Sequence, residues 1–131
     1  KNAQVIETRS STTWMEDDGI IYSVGKPGIS QDNKDATENF EVIKKLCAGT
    51  PSPQICDISE VRFVSQAAKA IYGSDEYASL CSAMALLVDS AYSKVNATYM
   101  NQIVRPSYPS ETFTSLEEAR EWVLQMASPA S

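Results

Sequence analysis

The chain has 131 residues, 43% hydrophobic and 21% charged, enough for one soluble globular domain with a real core. Its 17 acidic residues outnumber 11 basic ones, and the net charge of −6 disfavours phosphate backbones and anionic lipid headgroups as partners. Histidine is absent, which removes Ser-His-Asp and Cys-His catalysis, His-ligated metals and the commonest general base.

Residues 1–11 are polar and read as a loose segment or an extension of the first strand. Residues 12–16 are β-prone, Asp17-Asp18-Gly19 is a tight-turn signal, and Ile20, Tyr22 and Val24 then alternate with Ile21, Ser23 and Gly25. That pattern predicts an antiparallel hairpin, closed off by Lys26-Pro27-Gly28. From about Asp32, Ala36, Phe40, Ile43 and Leu46 form one helical stripe, with Lys34, Asp35, Glu38, Glu41 and Lys45 expected on the wet side.

Thr50-Pro51-Ser52-Pro53 ends that helix before a strand at residues 54–57. A second helix is expected after Ser65 as N-cap, interrupted at Gly73 and resuming at Ser74. Residues 83–88 are a continuous apolar run of strand length, as in a strand buried on both faces. A third helix is expected over residues 93–103, and a short strand over residues 112–114. Ser115-Leu116-Glu117-Glu118 reads as a capping box opening a last helix, with Leu116, Ala119, Val123 and Met126 on its apolar face. The expected organisation is a single small α/β domain over residues 12–127, with residues 128–131 a tail. Its sheet is mixed, with about five strands, an N-terminal antiparallel hairpin and about four helices.

Cys47, Cys56 and Cys81 are odd in number and form no C-x-x-C pair, so they read as reduced, mostly buried thiols. No apolar run reaches transmembrane length and no signal-peptide pattern is present, although the chain begins at Lys1 without Met, so removal of a leader or tag is compatible with it. These features point to a cytoplasmic protein, for which the sequon at Asn96-Ala97-Thr98 is coincidental.

The segment Asp57-Ile58-Ser59-Glu60-Val61-Arg62-Phe63-Val64 resembles the central motif of STAS domains, the SpoIIAA-like anti-sigma-factor-antagonist family. The run from Phe113 to Val123 is similar to the end of uncharacterised bacterial members of that group. The resemblance implies a SpoIIAA-like fold and a regulatory role through protein partners. In regulatory members the motif continues into a phosphorylated hydroxyl followed by glycine. In gap-free register those positions are Ala67 and Ala68 here, so the usual phospho-acceptor is missing. Ser65 takes the family's acidic position, either as an alternative acceptor or as a plain helix cap.

Asp57 and Asp89 fall at the predicted carboxyl ends of parallel strands, where open α/β sheets bind ligands. They read either as loop-amide acceptors or as converging ligands for a cation such as magnesium. With Ser59, Ser65 and Lys94 they make up the candidate binding or regulatory set. Lys26 and Arg105 are further anion-contact candidates; the aromatics Trp14, Tyr22, Tyr72, Tyr77, Tyr92, Tyr99 and Tyr108 read mostly as core packing, with some of them suited to an apolar cavity or a dimer surface. No cofactor, nucleic acid or membrane insertion is expected; an unidentified protein partner or small ligand is, and a homodimer is compatible. The leading expectation is a non-enzymatic regulatory or interaction module. Alternatives are a small-molecule or lipid-binding domain with an apolar cavity and, third, a carboxylate- or metal-dependent enzyme.

Overall fold

The computed structural model describes residues 4–89, 94–95, 98 and 105–127. Asp17-Asp18-Gly19 turns the chain between β2 (Ser11–Met15) and β3 (Ile21–Gly25), which pair antiparallel with Trp14 opposite Tyr22. Gly19 has φ +84° and its amide donates to the Glu16 carbonyl, a conformation that favours glycine. Upstream, β1 (Ile6–Glu7) adds to the outer edge of β2, so part of the N-terminal segment does extend the sheet.

The third strand pairs in parallel with β5 (Ser52–Asp57), which pairs in parallel with β7 (Cys81–Leu87), and β8 (Ser110–Phe113) closes the far edge. Among the described residues the sheet is therefore mixed and six-stranded, in the order β1-β2-β3-β5-β7-β8. A separate two-stranded ladder joins β4 (Ser30–Gln31) to β6 (Phe63–Val64).

Helix α1 (Asn33–Cys47) opens on Asp32, whose side chain accepts from the Asp35 amide while Asp35 accepts from the Asp32 amide. Asp35 is not on the wet side as its charge suggested: it is 3% exposed and takes two hydrogen bonds from Arg9, at 2.8 and 2.6 Å. Helix α2 (Gln66–Tyr72) is capped by Ser65 and ends at Gly73, and Ser74 caps the short α3 (Asp75–Ala78). The helix expected over residues 93–103 falls largely outside the described residues, as does the 128–131 tail.

The last helix, α4 (Leu116–Ala127), begins with Ser115 Oγ accepting the Glu118 amide at 3.3 Å. Its apolar face is narrower than expected. Ala119 and Val123 are fully buried, but Leu116 and Met126 are about half exposed. The helix packs on β5 and β7, and Ala119, Val123, Ala83 and Ala85 share one core with Ile20 and Ile55. Small residues on both sides let helix and sheet approach closely.

The opposite face of the sheet carries the larger core, where Ile21, Met84 and Leu86 meet Ala36 and Ile43 of α1 and Ala68 of α2. Alternation along β7 feeds both layers, Met84 and Leu86 to one and Ala83 and Ala85 to the other. That is why residues 83–88 read as continuously apolar.

A pinned surface segment and a buried cavity

Asp57 ends β5 and turns the chain: its Oδ1 accepts the Ser59 amide at 3.0 Å and the Ser59 hydroxyl at 2.6 Å. This is an Asx-type turn, the local use of aspartate that competes with ligand binding. Ile58, Val61 and Val64 are buried beneath it, while Glu60, Arg62 and Phe63 point outward. The segment is fastened to the chain before α1. The Gly28 amide donates to the Glu60 carbonyl at 2.9 Å, Arg62 to Ile29 at 2.8 Å, and Ser65 to Gln31 at 2.9 Å.

The outcome is a backbone held at several points with an aromatic ring, Phe63, 55% exposed on it. Next along the chain, Ser65 Oγ accepts the Ala68 amide at 3.1 Å, so the hydroxyl is engaged as an N-cap. Ala67, in the family's acceptor register, is exposed and carries no hydroxyl.

The strands that end near Asp57 and Asp89 are neighbours: β5 and β7 pair directly, with Asp57 opposite Leu87. Among the described residues no three His, Cys, Asp or Glu side chains gather as metal ligands. Lys94 lies elsewhere, in an open depression of about 380 Å³ lined also by Val88, Thr112 and Thr114 around the ends of β7 and β8 and by Glu118 of α4. Lys26 is tied to the N-terminal strand: its Nζ donates to the Thr8 carbonyl at 2.7 Å and sits 3.1 Å from Glu7. The candidate set is thus spread over separate places. Asp57, Ser59 and Ser65 share one stretch, and Lys94 belongs to the depression.

A second feature lies inside. On the inner face of the hairpin and β5 the side chains are small or polar (Ser11, Ser23, Gly25, Gln54, Cys56), and they leave a cavity of about 60 Å³ under α1 and α2. Tyr72, Tyr77 and Tyr108 also line it, in contact with one another: Tyr77 has ring centroids 5.6 Å from Tyr72 and 6.0 Å from Tyr108.

Their hydroxyls bond inward to protein. Tyr72 donates to Gln31 Oε1 at 2.7 Å, Tyr77 to Gln54 Oε1 at 2.5 Å, and Tyr108 to the Tyr72 carbonyl at 2.8 Å. Asn39 joins this network: its Oδ1 accepts from Ser11 and Thr8, and its Nδ2 donates to Tyr72 at 2.9 Å. Burial raises all three phenols above their ordinary range and pushes the Cys56 thiol up to about 12, so these groups stay neutral.

Of the seven aromatics that the sequence offers without distinction, Tyr72, Tyr77 and Tyr108 line the cavity, Trp14 and Tyr22 stack on each other in the hairpin, and Tyr92 and Tyr99 lie outside the described residues; the sequence does not single out Gln31, Asn39, Gln54 or Lys69. Their signal was a polar residue standing on an apolar face. Asn39 falls three residues after Ala36 and four before Ile43, and Gln54 precedes Ile55 within a buried strand.

Among the described residues no helix is long and apolar enough to cross a membrane. No curated protein is significantly similar to the chain. One solved structure that it resembles is that of an uncharacterised DUF3478-family protein with a SpoIIAA-like fold from Shewanella loihica PV-4. The identity is 11%, the TM-score 0.56, and the match covers 93% of this chain and 92% of that one. The SpoIIAA-like fold implied by the Asp57–Val64 motif is therefore the fold of this α/β chain. A family model described as "Domain of unknown function (DUF7793)" matches residues 13–127, and the chain belongs to that family.

Proposed function

We propose that the protein is a non-enzymatic interaction module of regulatory type, acting through residues 59–63 and the start of α2. The observation that carries this reading is the exposed Phe63 ring on a backbone fastened by the β4–β6 ladder and the Gly28–Glu60 bond. A fixed apolar anchor loses little freedom on docking, which is what makes aromatic residues effective at protein interfaces. The SpoIIAA-like fold supports the same reading by analogy. With Ala67 in the acceptor register, control operates through binding at this surface without the familiar phosphorylation. The net charge of −6 favours a partner with a basic rim around an apolar contact.

Photo-crosslinking from position 63 (Phe63→p-benzoylphenylalanine) in the native host tests this. The expected result is one discrete protein adduct, absent when the probe is moved to Glu117 on α4. The purified partner should then bind more weakly as salt rises, and at least tenfold more weakly to Phe63→Ala. Equal adducts from both positions, or unchanged affinity for Phe63→Ala, would defeat the proposal.

A further inference from the structure

The cavity beneath α1 and α2 is polar in composition, yet its polar groups are turned to one another. Gln54 accepts from Tyr77 on its carboxamide oxygen and donates from Nε2 to the Leu80 carbonyl at 3.3 Å. Ser23 Oγ accepts the Thr13 hydroxyl at 3.3 Å, and Ser11 donates to Asn39 Oδ1 at 2.8 Å. The Tyr72 hydroxyl accepts from Asn39 and donates to Gln31, and Lys69 and Ser110 are engaged as well. Among the described residues the one buried side-chain oxygen or nitrogen without a partner is Ser82 Oγ, which does not line the cavity. The wall therefore leaves no hydrogen-bonding demand for an occupant to meet. What remains to touch is carbon: Ile43, Met84, Leu86 and the tyrosine rings.

Two features keep this space from closing. On the sheet side Ser11 pairs with Gly25 and Ser23 with Cys56, so adjacent strands bring small side chains to one spot. On the other side the rings that could swing inward are held by their hydroxyls, Tyr77 at Gln54 and Tyr108 at the Tyr72 carbonyl. Protein interiors seldom leave a void larger than one water. This one measures about 60 Å³, which at roughly 10–15 Å³ per water-sized atom holds about four to six heavy atoms. Waters gathered there would find few free partners in a wall whose polar groups already bond to one another.

We propose that this cavity is a binding site for a compact, uncharged hydrocarbon or hydrocarbon group of about five heavy atoms, a small ring or a branched chain. An ion would give up its hydration with nothing in return, and an amide would leave its own N–H and C=O unmet. A chain of lipid length exceeds the volume. The site is separate from the Phe63 surface, so either stands without the other.

NMR titration of backbone amides and sealed-cell thermal melts of the full chain with cyclopentane test it. Propionamide is the uncharged polar control of matching size, sodium propionate the charged one and p-xylene the oversized one. Cyclopentane should shift amides of β3, β5 and α2 saturably and raise Tm, with all three controls at least tenfold weaker. Leu86→Phe, which fills the cavity from β7, should abolish cyclopentane binding. Should that variant not fold, Ile43→Ala, which enlarges the cavity from α1, should bind p-xylene at least tenfold more tightly than the unaltered chain. Phe63→Ala should bind cyclopentane as the unaltered chain does, which keeps this test apart from that of the surface. Absent or non-saturable shifts, equal binding of propionamide or propionate, full binding by folded Leu86→Phe, or no gain for p-xylene in Ile43→Ala would each overturn the proposal.

Discussion

Gly25 ends β3 where the turn after β5 crosses it, and a Cβ there would lie 2.1 Å from Cγ2 of Val61. Val61 is 2% exposed and β-branched, so its χ1 is stiff and little room is open for it to retreat. Gly25→Ala should therefore destabilise the protein by about 1–3 kcal/mol, a Tm loss of roughly 3–15 °C. Val61→Ala should cost less in that background than in the unaltered chain, with a coupling of at least about 0.5 kcal/mol in a denaturant double-mutant cycle. Strict additivity would show that the two do not touch.

Asp35 gives a second residue-scale expectation. The Arg9 hydrogen bond holds its carboxyl below the ordinary carboxylate range, against an opposing push from burial. A carboxyl depressed in the folded state contributes stability above its unfolded pKa, and that contribution fades as pH falls through its folded pKa. Urea midpoints of Asp35→Asn should thus fall below those of the unaltered chain near neutrality, and the gap should narrow in acid. A gap that stays constant with pH would remove the carboxylate from the account.

At the scale of elements, Ser65 decides between a cap and a switch. As the cap of the seven-residue α2 it should cost about 1 kcal/mol when replaced by Ala, whereas Ser65→Asp, another good cap, should be nearly neutral. Crosslinking from position 63 should be unchanged in Ser65→Asp; a large change there would make Ser65 a switch. This cap was legible in the sequence because it is local: Ser before an apolar period, Gly73 at the break, Ser74 restarting the turn.

The hairpin and the central strand were legible for the same reason, through the Asp17-Asp18-Gly19 turn and an unbroken apolar run. The β4–β6 ladder was not, because two residues carry no period. Asp35 misled because its partner Arg9 is 26 residues away, and Leu116 and Met126 because helical spacing does not say how wide a face the sheet covers. Of the candidate site, the Asp57–Ser65 stretch was readable as a strand end and cap. The cavity was not, since it arises where polar residues from β2, β3, β5, α1 and α2 converge across the fold.

For the whole molecule the question is whether two cores on opposite faces of one sheet behave as one. Strand β7 contributes alternate residues to both cores, so neither layer can be lost without breaking the strand that supports the other. A second tie runs between the chain's far ends. Arg120 on α4 donates to Asp18 Oδ2 at 2.7 Å and to the Tyr22 hydroxyl at 2.8 Å, joining the last helix to the first hairpin.

The two tryptophans report on the parts so joined. Trp14 stacks on Tyr22 in the hairpin, with ring centroids 5.6 Å apart, and Trp122 packs on Phe113 from α4. Single-tryptophan variants, Trp14→Phe and Trp122→Phe, should each unfold in urea with a fluorescence midpoint coincident with their own far-UV circular dichroism. In the variant keeping Trp122, a fluorescence change that precedes the loss of secondary structure would mean that α4 peels away first, leaving the inner layer to stand alone. Replacing Arg120 with Met should then widen that separation if the tie matters. If the layers are bound through β7, the two probes should stay coincident even as the midpoint falls.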